Sequence, residues 1–328
     1  MKAKSSVLRT TLFIGVLVLG RLSFAEAPSV AGDRPIGSAP GGPQTTVLEN
    51  VTRRFDKPFL WRVSGDSGKS SYVFGSIHLP SDHFAPLPEV VLKAFEEADV
   101  VLGEIPYDEE SMRQAAAAAQ SAQIPLSKRL PADLYARFTR KLARLAPDVD
   151  PALLENMEAW CVALQLVVLE APSSLVPMDF MFYRQAVNDG KEAGGLESVE
   201  EELKAMQMSD EDQVNFFRAT LDDMDAAERN GETTARQMVN AYLSGDLDVL
   251  GKLFNRAQEG FTPTLREHFG ETILNARNQK MAERMLERMG QHPAKCHLFV
   301  VGAMHFAGEG NILERLKNKG FKVERILK

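Results

Sequence analysis

The sequence predicts an α/β fold, with a mixed sheet built from two related βαβ-type halves at the chain ends and a largely helical middle. Two observations predict it. Both ends of the chain follow the order strand, Gly-x-x-His, loop, helix, strand, and the residues between them carry long helical patterns rich in Met, Glu, Arg and Ala. With 328 residues, 44% of them hydrophobic, the chain is long enough to bury a large core.

The first half starts with a predicted strand pair at residues 61–64 and 71–74, separated by the turn Gly-Asp-Ser-Gly. Residues 87–98 have the apolar spacing of a helix, and the run 99–105 (DVVLGEI) is typical of a buried strand. This strand–helix–strand order predicts a βαβ unit. We therefore expect the strand ending at Glu104 to lie beside the one that ends before His78.

The middle of the chain is predicted to be helical. An apolar stripe runs from Leu153 to Val168, and residues 201–290 are mostly helical in pattern. Residues 175–179 and 193–197 are interpreted as short strands, each followed by a helix, and Ser198 and Glu201 form a capping box after the second.

The C-terminal half repeats the first pattern. The apolar run 297–302 (HLFVVG) predicts a buried strand, residues 310–318 a short helix that ends near Gly320, and residues 321–326 a last strand.

The N-terminus predicts export. Residues 1–25 combine a basic start, an apolar run of about 11 residues and small residues before the cleavage position, the layout of a signal peptide. The run is too short to span a bilayer, which takes roughly 20 residues. We expect a periplasmic or secreted protein with no stable membrane insertion after cleavage, a flexible Pro- and Gly-rich leader at 26–56, and one α/β domain at 57–328.

Charge argues against nucleic acid as a partner. The net charge is −7, and loss of the four basic residues of the signal peptide would make it −11, so a polyanion would be repelled. The two cysteines, Cys161 and Cys296, fit either one disulfide or two buried free thiols. The pattern does not indicate the oligomeric state.

Two Gly-x-x-His elements are the main candidates for chemistry. Gly75-Ser-Ile-His78 and Gly302-Ala-Met-His305 each follow a buried strand, at the sheet edge where α/β proteins bind ligands. Glycine there allows close approach of backbone or ligand, and imidazole binds metals or moves protons near neutral pH. The alternative is that both are ordinary hydrogen-bonded histidines at strand ends.

Glu104 is the third candidate, because it ends the run VVLGE where burial is expected and a buried carboxylate needs a cation or several donors. Two histidines and one glutamate would leave one position open for water, as in catalytic metal sites. Glu104 is alternatively a general base, or a partner in a structural ion pair.

Four further polar residues fall in apolar surroundings and are candidates for support of the site: Asp179, Glu197, Arg277 and Asn278. The acidic run 197–202 is interpreted as the solvated start of a helix.

These segments resemble the TraB/GumN/Tiki family, in its exported GumN-like bacterial branch. The resemblance is carried by VFGSIHLP, PLPEVVLKAFEEADVVLGEI, MDFMFYRQAVNDGKEAGGLESVEEEL, LNARNQKMAERM and FVVGAMHFAGEGNILERLKNKGFKV, in that order. It implies an α/β fold with two related halves and a catalytic or metal site at His78, Glu104 and His305. It also implies a divalent metal, manganese or cobalt by analogy with animal members described as proteases, with zinc as an alternative.

The leading hypothesis is an exported metal-dependent hydrolase acting on a peptide or protein substrate. One rival is a non-catalytic peptide- or ligand-binding protein of the same fold, and others are a haem- or iron-binding protein and an esterase. No P-loop, Gly-x-Ser-x-Gly, His-Glu-x-x-His or dinucleotide fingerprint is present.

Overall fold

A computed structural model describes residues 54–171, 173 and 175–327. The predicted signal peptide, 1–25, and the predicted leader up to residue 53 lie outside the described residues. Phe55, near the end of that leader, is buried against the rings of Phe84 and Tyr242. The packed part of the chain therefore already includes this residue.

Six strands form one mixed sheet in the described part of the chain, in the order β4–β3–β5–β2–β1–β6. The four strands from β4 to β2 are parallel, and β1 runs antiparallel to both of its neighbours. This confirms the predicted α/β class and mixed sheet. The strands are β1 (Leu60–Ser64), β2 (Ser71–Ser76), β3 (Val100–Gly103), β4 (Glu192–Gly195), β5 (His297–Gly302) and β6 (Lys322–Arg325).

The central strands have continuous apolar sequences because both faces of the sheet are covered. Every residue of β2, β3 and β5 is buried, as is usual for parallel strands with helices packed on both sides. Strand β6 lies at one edge of the sheet, where it pairs with β1, and its residues are mostly exposed.

The prediction that β2 and β3 are adjacent strands is wrong. Strand β5 lies between them, pairing with β2 from Tyr72↔Leu298 onward and with β3 from Val100↔His297 onward. Local strand–helix–strand order cannot reveal this insertion, because the inserted strand comes from nearly 200 residues further along the chain. As a result, the second Gly-x-x-His element lies between the first one and Glu104.

Helices make up most of the rest of the described chain. The α-helices are α1 (Glu89–Glu97), α2 (Glu109–Ala119), α3 (Leu126–Arg129), α4 (Ala132–Leu145), α5 (Ala159–Leu169), α6 (Met178–Asn188), α7 (Val199–Ala205), α8 (Asp210–Arg229), α9 (Thr234–Leu243), α10 (Leu247–Ala257), α11 (Pro263–Glu267), α12 (Arg277–Gln291) and α13 (Ile312–Asn318). Short 3₁₀ turns cover Asp82–Phe84, Pro151–Leu154 and Ala303–Phe306.

Two predicted elements of the middle differ from the structure. Residues 175–179 do not form a strand, because helix α6 begins at Met178 directly after Pro177, a residue that suits a helix start. The apolar stripe 153–168 is not one helix, since Leu153 and Leu154 belong to a 3₁₀ turn that ends before α5 begins. The predicted capping box of Ser198 and Glu201 is present at α7.

The helical middle has an apolar core of its own. Phe138, Leu166 and Phe217 are fully or almost fully buried within it, whereas the second large core lies around the sheet. A nine-residue π-helix, His268–Ala276, joins α11 to α12. Its residues Phe269 and Ile273 pack in the helical core, and α12 then continues into the sheet core.

Both cysteines are free and buried, which selects the free-thiol alternative for Cys161 and Cys296 in this structure. Across the described residues, no helix is both long and apolar enough to cross a membrane.

Glu170 makes the stability of the fold depend on pH. Its carboxylate is buried and accepts a hydrogen bond from the Ala235 backbone N–H at the start of α9. Burial raises the pKa of Glu170 from 4.5 to about 7, although that hydrogen bond opposes the rise. The folded state holds the Glu170 proton more tightly than the unfolded state, so protonated Glu170 contributes to the free energy of unfolding. This contribution is present in full below pH 4.5 and is lost as the pH rises through about 7.

We predict that Glu170→Gln removes this loss, because the amide oxygen keeps the Ala235 hydrogen bond without a charge. At pH 8 the variant should exceed the wild type by about 2–3 kcal/mol in free energy of unfolding, while at pH 4 the two should be similar. Urea denaturation at both pH values measures the difference. A parallel pH dependence in both proteins would contradict this assignment.

Candidate functional site

The two Gly-x-x-His elements leave the sheet side by side. Strands β2 and β5 are parallel neighbours, and Ser76 lies opposite Gly302 in their register. Because parallel strands end at the same edge of a sheet, His78 and His305 both emerge at this edge. Glu104 follows β3, the other neighbour of β5, and emerges there as well.

The carboxylate of Glu104 is the centre of this edge. Its Oε1 accepts a 2.6 Å hydrogen bond from the Gly302 backbone N–H, and its Oε2 accepts one of 2.7 Å from Arg277 Nη2. Both candidate imidazoles face it, with Nε2 of His78 at 3.4 Å from Oε1 and Nε2 of His305 at 3.7 Å from Oε2. Burial opposes ionisation, but Arg277 and the two histidines outweigh it and hold the pKa of Glu104 well below its usual value.

His78 is oriented by Asp179. The His78 Nδ1–H donates to Asp179 Oδ2 across 3.0 Å, and the other oxygen of Asp179 accepts from the Ser76 hydroxyl at 2.5 Å. Asp179 is 2% exposed and lies in the first turn of α6, where a negative charge is favoured by the helix dipole. Desolvation of the ring disfavours the charged imidazole, but Asp179 and Glu104 together raise the pKa of His78 well above its usual value.

His305 is oriented by an amide instead. Its Nδ1–H donates to Asn278 Oδ1 at 2.7 Å, and the Asn278 amide group is placed by a long contact from its Nδ2 to the Gly310 carbonyl. With Nδ1 protonated, the lone pair of His305 lies on Nε2, directed toward Glu104. Burial lowers the pKa of His305 to about 4, although Glu104 opposes the fall.

Glycine at position 302 leaves open the space between these groups. A Cβ atom there would come within 3.1 Å of Glu104 Oε1 and 3.2 Å of His78 Nε2. The first motif uses its glycine differently. A Cβ on Gly75 would meet Phe59 at 2.8 Å, and the Gly75 carbonyl accepts from the Tyr242 hydroxyl, so Gly75 serves packing while Gly302 borders the site.

Arg277 binds three carboxylates at once. Besides Glu104, it reaches Glu197 Oε2 from Nε at 2.8 Å and Glu202 Oε1 from Nη2 at 3.4 Å. Arg277 is 6% exposed, so a single buried cation balances three acidic side chains. The charge of Arg277 does not fully stabilise the ionised form of all three carboxylates. Burial raises the pKa of Glu202 to about 7 and also raises the pKa of Glu197, against the effect of Arg277.

All seven residues singled out from the sequence meet at this edge, but two details differ from expectation. Asp179 begins a helix rather than ending a strand. The acidic run 197–202 is not simply solvated, because Glu197 and Glu202 are both buried. Glu202 shares a helix face with Val199 and Ala205, and this i, i+3, i+6 spacing was the available signal of its burial.

Ser76 is a further residue that sequence reasoning missed. It is 1% exposed in a fully buried strand, and its hydroxyl donates to Asp179. The signal for it was weak, since a serine inside the motif Gly-Ser-Ile-His has no charge to attract attention. Its partner Asp179 lies 103 residues away along the chain.

Among the side chains at this edge, the two imidazoles are arranged as ligands of a divalent cation would be. Both imidazoles turn Nε2 toward the Glu104 carboxylate, and each is fixed through Nδ1 by a partner that accepts a hydrogen bond, the usual arrangement around metal-binding histidines. Both oxygens of Glu104, however, already accept hydrogen bonds. As these side chains stand, no group of three or more His, Cys, Asp or Glu residues in the described chain has metal-binding geometry.

Comparison with known proteins identifies the family. The profile of the TraB/PrgY/gumN family matches residues 59–325. This chain belongs to that family. The match begins at the residue before β1 and ends with β6, so it includes every element of the TraB/PrgY/gumN sheet described above.

Several proteins similar to this TraB/PrgY/gumN chain are named metalloproteases. Metalloprotease TIKI1 of Danio rerio is 26% identical over 310 residues, covering 81% of this chain and 62% of the relative. Metalloprotease TIKI1 of Homo sapiens is 24% identical over 340 residues, covering 88% and 66%. The bacterial protein YbaP of Shigella flexneri is 21% identical over 256 residues, covering 76% and 88%.

The chain thus spans less than two thirds of the length of the TIKI1 proteins. No solved structure matches it.

We predict that Gly302→Ala disturbs the site of this TraB/PrgY/gumN protein by steric pressure alone, because the backbone φ of −55° at Gly302 is open to alanine. The new methyl group would push His78 and Glu104 apart and lower the free energy of unfolding by about 1–3 kcal/mol. Gly251→Ala, in α10 with open space around the position, is the control and should not destabilise. Denaturant unfolding measures both.

Removal of the Arg277 cation should be more costly. Arg277→Met leaves three buried carboxylates without their shared partner, and we expect a loss of about 3–5 kcal/mol in the free energy of unfolding. Arg288→Met, on the same helix with a partly exposed pair to Glu192, should cost at most about 1 kcal/mol. Similar losses for both variants, in the same urea titration, would show that Arg277 is not needed to balance the cluster.

Proposed function

We propose that this protein is an exported, metal-dependent hydrolase that cleaves peptides or proteins. The observation that carries the proposal is the arrangement of two imidazoles, fixed through Nδ1 by Asp179 and Asn278, with both Nε2 atoms facing one carboxylate beside a glycine. The protease names of the TIKI relatives and the predicted signal peptide support it.

In this proposal His78 and His305 would hold a divalent cation through Nε2, and Glu104 would complete the donor set. Such a cation would polarise a peptide carbonyl and activate water. Manganese and cobalt are suggested by the family, and zinc is an alternative.

The surrounding residues have defined tasks. Asp179 and Asn278 hold the two rings in the orientation that presents Nε2, and Ser76 holds Asp179. Arg277 forms ion pairs with Glu104, Glu197 and Glu202, so in this proposal it holds the carboxylate of Glu104 in place.

One observation favours a non-catalytic binding protein as a second candidate. Glu104 accepts hydrogen bonds at both oxygens, from Arg277 and from the Gly302 N–H. Both bonds stabilise the charged carboxylate, which makes Glu104 a weaker base, although each of its oxygens keeps a lone pair. A pocket with a weak base and no bound metal ion would bind a peptide without cleaving it.

The test combines metal content with peptide cleavage. Wild type purified after growth with Mn²⁺, Co²⁺ or Zn²⁺ should retain about one ion per chain and cleave an unstructured peptide. His305→Ala should lower metal affinity and kcat/KM at least about a hundredfold, since a ligand is lost outright. Elemental analysis and mass spectrometry of the peptide products give the two readouts.

His292→Ala is the matched control, because it removes a histidine at the far end of α12 and should leave both readouts unchanged. Equal cleavage by wild type and His305→Ala would overturn the proposal. Peptide binding without turnover with any of the three metals would favour the binding protein.

A further inference from the structure

The His78 ring is held by a hydrogen-bonded unit that spans two separate elements of the fold. Ser76 ends β2 and His78 follows it, whereas Asp179 lies in the first turn of α6. The two hydrogen bonds of the unit, of 2.5 Å from Ser76 and 3.0 Å from His78, both end on the Asp179 carboxylate. Because hydrogen bonds weaken steeply as distance and angle change, both depend on a fixed separation between the end of β2 and the start of α6.

The hydroxyl of Tyr242 contacts both sides of this junction. It donates a 2.6 Å hydrogen bond to the carbonyl of Gly75, and the same oxygen lies 3.6 Å from Sδ of Met178. Gly75 is the residue before Ser76, and Met178 is the residue before Asp179. Tyr242 belongs to α9, so a third element joins the end of β2 to the start of α6.

The ring of Tyr242 is fixed by its packing. Tyr242 is fully buried, and its ring contacts those of Phe55, Phe59 and Phe84 at centroid distances of 5.5, 5.3 and 5.3 Å. Dense packing by three rings restricts the rotamers that are open to a buried side chain. The position of the hydroxyl is therefore set by the core and not by the two groups that it contacts.

The Gly75 carbonyl depends on this donor. The N–H of Gly75 donates to the Phe59 carbonyl at 2.7 Å, and in a strand the N–H and the C=O of one residue point to the same side. The buried carbonyl therefore faces away from β5, and Tyr242 supplies its partner. Burial and the nearby charge of Asp179 raise the pKa of Tyr242 well above its usual value, so the phenol keeps its proton and remains a donor.

Apolar packing between the two elements is less directional than this hydrogen bond. Phe74 on β2 and Phe182 on α6 pack edge-on at a centroid distance of 5.3 Å, which holds the helix against the sheet. Hydrophobic contacts carry little directional preference, whereas a hydrogen bond constrains both distance and angle. The hydroxyl of Tyr242 is thus the directional contact at the junction.

We propose that Tyr242 is a positioning residue for His78, because it joins Gly75 to the start of α6 and keeps Asp179 at the distance that orients the imidazole. This inference rests on the proposed function only in what the ring is oriented for, which is a divalent cation at Nε2. The orientation itself belongs to the metal-free protein and can be measured there.

The experiment uses the full chain with Tyr242→Phe, which keeps the ring and removes the hydroxyl. In metal-free protein, the proton resonance of His78 Nδ1–H, assigned by its absence in His78→Ala, reports the hydrogen bond to Asp179. We expect this resonance to shift upfield and broaden in Tyr242→Phe, because that hydrogen bond lengthens. The affinity for Co²⁺, measured from the absorption of the bound ion, should fall about tenfold, the lower end of what loss of an orienting partner costs.

Tyr72→Phe is the matched control. Tyr72 is 5% exposed, lies on the same strand at the end away from the site, and donates a 2.5 Å hydrogen bond to Glu97. The control therefore also loses one phenol hydrogen bond of β2, but it should keep the His78 resonance and the Co²⁺ affinity of the wild type. Urea unfolding of both variants checks that each is folded.

Met178→Leu serves if Tyr242→Phe does not fold. Leucine keeps most of the volume of methionine and removes the sulfur that the Tyr242 hydroxyl contacts. We expect the His78 resonance to shift in the same direction, with a severalfold lower Co²⁺ affinity. An unchanged resonance in this variant would contradict the positioning role.

The outcomes separate this inference from the proposed function. Unchanged resonance and Co²⁺ affinity in folded Tyr242→Phe would overturn the positioning role and leave the proposed function standing. A shifted resonance, with no Co²⁺ bound by the wild type, would support the positioning role and overturn the metal-dependent function. The same shift in Tyr72→Phe would show a general loosening of β2 and overturn the assignment to Tyr242.

Discussion

A carboxylate buried as deeply as that of Glu104 is tolerated only when donors surround it, and the structure meets this requirement from three directions. The Gly302 N–H comes from the neighbouring strand, the Arg277 guanidinium from α12, and the His78 imidazole from the first Gly-x-x-His motif. The ion pair of Glu104 and Arg277 therefore links the sheet to α12, at the edge where the parallel ends of β2 and β5 place both histidines.

The sequence was sufficient for the class of fold and for most members of the site, because both depend on local signals. Apolar runs followed by Gly-x-x-His marked two strand ends. The carboxylate of Glu104, at the end of the apolar run VVLGE, indicated a buried partner for this residue. Strand order was not accessible in this way. The position of β5 between β2 and β3 depends on pairing between residues about 200 positions apart, which no local pattern encodes.

The same limit explains the residues that were missed or misjudged. The start of α6 looked like a strand because its first residues are apolar, and only Pro177 hinted at a helix. The burial of Glu202 was not predicted, because this residue lies in an acidic run. Glu201 of the same run pairs with Arg284 near the surface, whereas Glu202 points inward and pairs with Arg277.

The position of β5 in the sheet affects the order in which the protein folds as it is synthesised. This strand is a central one of the sheet, yet it is formed by residues 297–302, which follow β2 and β3 only after the whole helical middle. Until those residues have been synthesised, β2 and β3 lack their shared neighbour, and the sheet cannot close. Contacts of such long sequence separation make folding slow, and in this protein they postpone it until after the helical middle has emerged. Gly302 and His305 arrive with the same strand, so closing the sheet and assembling the candidate site are a single late event.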